Sequence, residues 1–214
     1  MIRSFLGARG RVIDVVRFST IQRFQCWNCS EHHDHHKLFC HKCNVIQPLH
    51  PKIDFFSYFG LKRRFKVDDK ELKDYFRKLQ SHVHPDKFGT ASDKEKQISE
   101  QHSSYLNQAY KTLSSPRERA KYLLKLLTEE NSDDTTTPDF AAEMFEFIEE
   151  IEAEEDEKKL RKHSDHVDSE IEQLLIQIEN AFDKNEPLTA RALLTRLRYF
   201  DRAKNILVNK LGVE

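Results

Sequence analysis

Apolar side chains recur at the spacing of an α-helix through most of this chain, and few residues interrupt the pattern. Such stretches fill the region from about residue 68 to 127 and resume after residue 139. Only 5 glycines and 6 prolines occur among 214 residues, whereas folds built from many short strands need more turn residues. Because an apolar face of this period is buried when helices pack together, the chain is predicted to be mainly α.

Local signals mark where these helices begin and end. Asp68, with Glu71 three residues later, has the spacing of a helix-starting cap, and Pro85 ends the helical pattern that follows. The polar segment 129–138, EENSDDTTTP, is the best domain boundary. The apolar stripes beyond this segment are joined by short loops, which predicts an antiparallel three-helix bundle.

Four cysteines near the N-terminus form two CxxC pairs, Cys26 with Cys29 and Cys40 with Cys43. Two such turns can direct four thiolates to one point, the donor set of a closed, structural zinc site. A redox CxxC normally starts a helix in a strand–helix unit, which the pattern does not predict here. Disulfides would require a secretory context. The neighbouring histidines are interpreted as loop residues rather than ligands: His32, His33, His35, His36 and His41.

A second short motif, His84-Pro85-Asp86, stands between two long helical patterns. Three residues alone match by chance, but helices joined in this way must pack antiparallel, which places the loop at one end of their hairpin. The arrangement, from about residue 54 to 127, resembles the J domain of DnaJ-class co-chaperones. The resemblance implies that this tripeptide stimulates ATP hydrolysis by a DnaK-class heat-shock chaperone. It also implies that Arg77 and Lys78 dock on an acidic surface of that chaperone.

The helix that follows the boundary is acidic, with ten acids and no base between residues 139 and 157. At about 100° per residue, one sector of this helix is predicted to be core: Phe140, Met144, Phe147, Ile148 and Ile151. Phe145 points nearly opposite, among glutamates that would be costly to bury. It is interpreted either as an exposed binding anchor or as a contact with the J domain or its linker.

The three parts together sharpen the resemblance. A CWxC…CxxC knuckle, a J domain and an acidic bundle are similar to the HscB-type (Jac-type) J proteins of mitochondrial iron–sulfur cluster assembly. The resemblance implies that the bundle binds an IscU-class scaffold through residues carried over by position: Ala141, Ala142, Phe145, Glu146, Glu149 and Tyr199. The family often has larger apolar residues where Ala141 and Ala142 stand, which shifts weight onto Phe145. The alternative is a general J protein that binds unfolded clients.

The N-terminal segment carries five arginines and one acid within residues 1–25. This composition is typical of a mitochondrial transit peptide, with a disordered basic tail as the alternative. The mitochondrial matrix is therefore expected, with room for a cytoplasmic pool. The predicted layout is a transit peptide at 1–25, a zinc knuckle at 26–50, a J domain at 54–127 and the scaffold-binding bundle at 139–214.

Composition argues against several other classes of function. The net charge of −1 does not favour nucleic-acid binding. No apolar run approaches the roughly 20 residues that span a bilayer, so no membrane partner is expected. Gly-rich phosphate loops, nucleophile elbows and open metal sites are lacking, and the chain is not expected to be an enzyme.

Overall fold

The structure is a computed structural model that describes residues 24–33, 37–128 and 137–212. Apart from Phe24 and Gln25, the predicted transit peptide at 1–25 lies outside these ranges. The chain divides into two compact units with the boundary between Pro48 and Leu49. In the described part of the chain, no helix combines the length and the apolar character that crossing a membrane requires.

The first unit is built on short antiparallel pairings. Strand β1 (Phe24–Gln25) pairs with β2 (His32–His33), and an isolated antiparallel bridge joins Phe39 to Ile46. The indole N–H of Trp27 donates to the carbonyl of Ile46 at 2.7 Å, and Ile46 is fully buried. These contacts connect the two CxxC turns through a small apolar centre.

The second unit is helical, which confirms the mainly α prediction. Its helices are α1 (Phe55–Phe59), α2 (Asp69–Val83), α3 (Asp93–Ser114), α4 (Pro116–Thr128), α5 (Pro138–Ala153), α6 (Glu157–Asp183) and α7 (Pro187–Leu211). A 3-10 turn at Pro85–Phe88 joins α2 to α3. The Asp68 carboxylate accepts from the backbone N–H of Glu71 at 2.8 Å, so it caps α2 as predicted.

Helices α2 and α3 pack against each other over a fully buried apolar core. Leu72 and Val83 of α2 meet the α3 side, where Leu106 and Leu113 are also fully buried. The Ser99 hydroxyl of α3 donates to the Val83 carbonyl at 2.9 Å. This bond satisfies a carbonyl at the end of α2 and holds that end against α3.

Helix α7 is the centre of the C-terminal bundle, because α5, α6 and α4 all pack against it. On α5, Met144, Ile148 and Ile151 are buried. The prediction that Phe140 and Phe147 also belong to the core is wrong, since both are only partly buried. They flank the sector of α5 that faces α7, so α7 does not cover them completely.

The part of this unit that contains α1–α4 touches the C-terminal bundle at specific side chains. The Phe65 ring stacks on Phe182 of α6 with centroids 5.8 Å apart. Arg117 of α4 lies 3.3 Å from the Asp201 carboxylate of α7. Burial raises the pKa of Asp201, which the neighbouring Arg117 partly offsets. One apolar and one charged contact therefore hold the two parts of this unit in a defined orientation.

Candidate functional sites

The four cysteine sulfurs converge on one point, with all Sγ atoms within 4.8 Å of one another. The Sγ atoms of Cys26 and Cys43 are 3.6 Å apart, and those of Cys29 and Cys40 are 3.7 Å apart. Each pair joins one CxxC turn to the other, so the two turns face each other. Four sulfur donors at this spacing can hold a metal ion.

Backbone groups of the turns also favour thiolates at this point. Burial raises the pKa of Cys26, but hydrogen bonds from the backbone N–H groups of Cys29 and Asn28 and from the neighbouring thiols together outweigh it and lower that pKa to about 6. A backbone hydrogen bond at Glu31 lowers the pKa of Cys29, but burial and the neighbouring thiols raise it to about 12. Neighbouring thiolates repel one another, and a bound cation removes that repulsion. The donor set and its surroundings therefore fit a metal.

The neighbouring histidines stand apart from the sulfur cluster where the structure describes them. The Nδ1 atoms of His33 and His41 are 3.0 Å apart, so these rings bond to each other. His32 is exposed on β2. His35 and His36 lie outside the described residues.

The His84-Pro85-Asp86 loop projects from the end of the α2–α3 hairpin. The backbone N–H of Asp86 donates to Nδ1 of His84 at 3.3 Å, and Phe88 anchors the turn in the core. The side chains of His84 and Asp86 are 45% and 88% exposed. The backbone of the loop is thus held by local bonds while its polar groups point to solvent.

The basic residues predicted on α2 are also exposed. Arg77 and Lys78 lie on the solvent side of α2, the helix that precedes the loop. Arg77 is 4.0 Å from the Asp74 carboxylate, and an exposed pair of this kind constrains a side chain little. Both cations remain accessible to an acidic partner.

The predicted scaffold-binding residues meet along the line where α5 packs on α7. Phe145 is 49% exposed, and its ring meets Tyr199 edge to face with centroids 6.2 Å apart. Glu146 and Glu149 are exposed on the same side of α5, while Ala142 is exposed and Ala141 partly so. Tyr199 is therefore the α7 residue that completes this surface, termed here the α5–α7 seam.

Two residues of the seam do not follow from the sequence reasoning. Phe140, predicted as core, also meets Tyr199 edge to face, with ring centroids 5.8 Å apart. The guanidinium of Arg196 lies 4.6 Å from the centroid of the Phe140 ring. Arg196 precedes Tyr199 by three residues, so helical spacing places both on one face of α7. That spacing is the signal that could have identified Arg196.

The structure combines an exposed His-Pro-Asp loop at the end of a helical hairpin with a helical bundle that packs against the same part of the chain. This combination defines the class of J-domain co-chaperones. Residues 54–122 match the DnaJ domain family, and residues 136–207 match the HSCB C-terminal oligomerisation domain. The two matches cover the two parts of the helical unit.

Individual relatives extend the likeness over most of the chain. The chain is 35% identical to the iron–sulfur cluster co-chaperone protein HscB of Mus musculus over 182 residues. The matched region covers 82% of this chain and 78% of that protein. The crystal structure of human co-chaperone protein HscB superposes with a TM-score of 0.81 at 32% identity, covering 88% of this chain and all of that one. Chaperone HscB from Vibrio cholerae gives a TM-score of 0.66 at 32% identity, covering 73% of this chain and 96% of that one.

The chain belongs to the HscB family of iron–sulfur cluster co-chaperones. The predicted family and the predicted role as an iron–sulfur cluster co-chaperone are confirmed. Relatives named co-chaperones imply a non-catalytic role, and the eukaryotic relatives are consistent with a mitochondrial one.

Proposed function

We propose that this co-chaperone works in the mitochondrial matrix, where it brings an IscU-class iron–sulfur scaffold to a DnaK-class heat-shock chaperone. The J domain, at 54–127, would stimulate the ATPase of the chaperone. The bundle, at 139–214, would hold the scaffold. No residue of the chain performs covalent chemistry in this scheme, and ATP is hydrolysed by the partner.

The observation that carries this proposal is the exposure of Phe145 beside Tyr199. An aromatic side chain that is 49% exposed leaves apolar area in water, and burial of that area favours association. Because Tyr199 supports its ring, Phe145 loses little freedom on binding. Aromatic anchors of this kind dominate many interfaces. The exposed Glu146 and Glu149 would then form the polar rim.

The chaperone would be engaged at the His84-Pro85-Asp86 loop. Asp86 offers an exposed carboxylate that can pair with an arginine of the chaperone, and Pro85 limits the conformations of the loop. His84, bonded to the backbone of Asp86, fixes the geometry of the tripeptide. Arg77 and Lys78 would steer the acidic surface of the chaperone toward the loop.

The contacts between the J domain and the bundle would hold the two proposed binding surfaces in a fixed orientation. Phe65 stacked on Phe182, with Arg117 paired to Asp201, resists free rotation of one part against the other. A scaffold bound at the seam is therefore held at a set distance from the J-domain loop. Tethering of this kind raises the effective concentration of scaffold at the chaperone.

Zinc is the proposed metal of the four-cysteine site, in a structural role. Four thiolates fill a tetrahedral shell and leave no open position for catalysis. The proposed layout assigns this knuckle to residues 26–50 and a transit peptide to residues 1–25. The knuckle has no proposed contact with either partner.

The test uses the purified full chain with an IscU-class scaffold and a DnaK-class chaperone. Calorimetry is expected to show one scaffold binding site, and steady-state hydrolysis of ATP by the chaperone is expected to rise when chain and scaffold are both added. A permanently unfolded protein serves as the competing client. If that client binds as well as the scaffold does, the chain is a general J protein that binds unfolded clients, and the scaffold-specific interpretation is wrong.

A further inference from the structure

The two sides of the α5–α7 seam carry opposite charge. On α5, Glu146 and Glu149 are exposed next to Phe145, and the whole segment from residue 139 to 157 has ten acids and no base. On α7, the exposed Arg196 lies over the Phe140 ring, which in turn meets Tyr199. The aromatic strip of the seam therefore separates an acidic edge from a basic one.

Arg196 is held in position by the ring that it covers. Its guanidinium lies 4.6 Å from the centroid of Phe140, within the range of a cation–π interaction. A guanidinium stacked on a ring keeps the N–H donors at its edge available for a carboxylate. Phe140 in turn meets Tyr199, so the position of Arg196 is coupled to the proposed scaffold-binding surface.

We propose that Arg196, positioned by Phe140, determines the orientation of the bound scaffold by receiving an acidic group of that protein, while Glu146 and Glu149 receive basic groups. The inference rests on the proposed function, since it concerns the same surface. A scaffold turned by half a revolution on the seam would bring like charges together on both edges. Such contacts are strongly unfavourable, so the two edges select one orientation.

The sign of one substitution separates this scheme from simple acidic attraction. If the surface only attracted a basic scaffold, Arg196→Glu would make it more acidic and would tighten binding. If Arg196 receives a carboxylate, the same change places two negative charges together and weakens binding. The two schemes therefore predict opposite directions for one measurement.

The experiment measures scaffold affinity by calorimetry for the full chain and its variants. Arg196→Glu is expected to weaken binding about tenfold and Arg196→Gln about threefold, with the Arg196→Glu deficit shrinking at high salt. Lys184→Glu has the same charge change at the exposed end of α6, roughly 18 Å or more along the helices from Tyr199. It should stay within about twofold of the parent chain.

Three results would overturn the inference: tighter binding by Arg196→Glu, an effect equal to that of Lys184→Glu, or a deficit that salt does not change. Arg196→Gln keeps the test valid if Arg196→Glu does not fold, which circular dichroism would show. Phe145→Ala separates this failure from that of the proposed function. If Phe145→Ala weakens binding while Arg196 variants do not, only the orientation scheme falls. If the parent chain does not bind the scaffold, the proposed function falls with it.

Discussion

Phe145 of α5 and Tyr199 of α7 meet edge to face, with ring planes at 87° and centroids 6.2 Å apart. The contact supports a ring that remains half exposed. Tyr199 also meets Phe140, with ring planes at 90°. Phe140, Phe145 and Tyr199 therefore form an aromatic strip rather than a single anchor. Removal of one ring should alter the packing of the other two.

Substitution of the exposed ring should weaken scaffold binding. Phe145→Ala is expected to cost about 1–3 kcal/mol of binding free energy, because a supported aromatic anchor is removed. Tyr199→Ala should cost a similar amount, and the double variant less than the sum, since the rings are in contact. Calorimetry measures all three.

Phe147→Ala is the matched control for this prediction. It removes the same residue type from the same helix, but Phe147 packs against His163 and His166 of α6. It should lower stability and leave scaffold affinity unchanged. If Phe145→Ala binds the scaffold with the same affinity as the parent chain, Phe145 has a structural role and is not a binding anchor.

The J-domain loop should be needed for ATPase stimulation but not for scaffold binding. His84→Gln removes the ring that accepts from the Asp86 backbone, so it is expected to abolish stimulation of the DnaK-class ATPase. Steady-state phosphate release measures this effect. Scaffold affinity should be that of the parent chain, because α5 and α7 are untouched.

His82→Gln controls for the loss of a histidine at the same end of α2. Position 82 is exposed and lies outside the tripeptide. Replacing the ring by an amide leaves Arg77 and Lys78 in place, so stimulation should be retained. Full stimulation by His84→Gln would contradict the assignment of the loop.

Metal analysis of the purified chain should give about one zinc per molecule. Cys29→Ser should lose it, because three thiolates with one hydroxyl bind zinc far less tightly. Trp27 is the single tryptophan and bonds to Ile46 across the knuckle, so its fluorescence should change when a chelator removes the metal. His41→Asn should keep both the zinc and the fluorescence. Loss of metal from His41→Asn would instead make a histidine a ligand.

Two helix caps offer a matched test of stability. The Asp54 carboxylate accepts from the Ser57 backbone N–H at 3.0 Å and lies 2.7 Å from the Arg63 guanidinium, whereas Asp68 caps α2 at an exposed site. Asp68→Ala should cost about 0.5–1 kcal/mol of unfolding free energy. Asp54→Ala should cost about 2 kcal/mol or more. Urea denaturation at neutral pH measures both.

The Asp54 cap should also contribute to acid sensitivity. Burial raises the pKa of Asp54, but hydrogen bonds from Arg63 and Ser57 outweigh it and hold that pKa below its usual value. The stabilisation is therefore present above the unfolded pKa, about 4, and is lost as pH falls through the folded value. The unfolding free energy of Asp54→Ala should fall less steeply with acid than that of the parent chain. Parallel curves would contradict this role.

Local patterns were sufficient for the helices and for the two short motifs. The Asp68 cap and the apolar spacing of α2 depend on neighbours a few residues away, so periodicity and capping rules capture them. That Phe145 points away from the buried face of α5 also followed from its angle, whereas its exposure was decided only by the structure. The partial exposure of Phe140 could not be predicted in this way. Phe140 lies at the margin of the buried face of α5, and only the position of α7 decides how much of its ring is covered.

The sequence by itself determined the mainly α character, the four-cysteine donor set and the His-Pro-Asp loop between two helices, since each depends on residue types at short spacing. Only the tertiary structure decided that Tyr199 meets both Phe140 and Phe145, that Arg196 covers Phe140, and that Phe65 stacks on Phe182. These contacts join helices far apart in the chain. Their partners are selected by the packing of whole helix faces, which no local pattern contains.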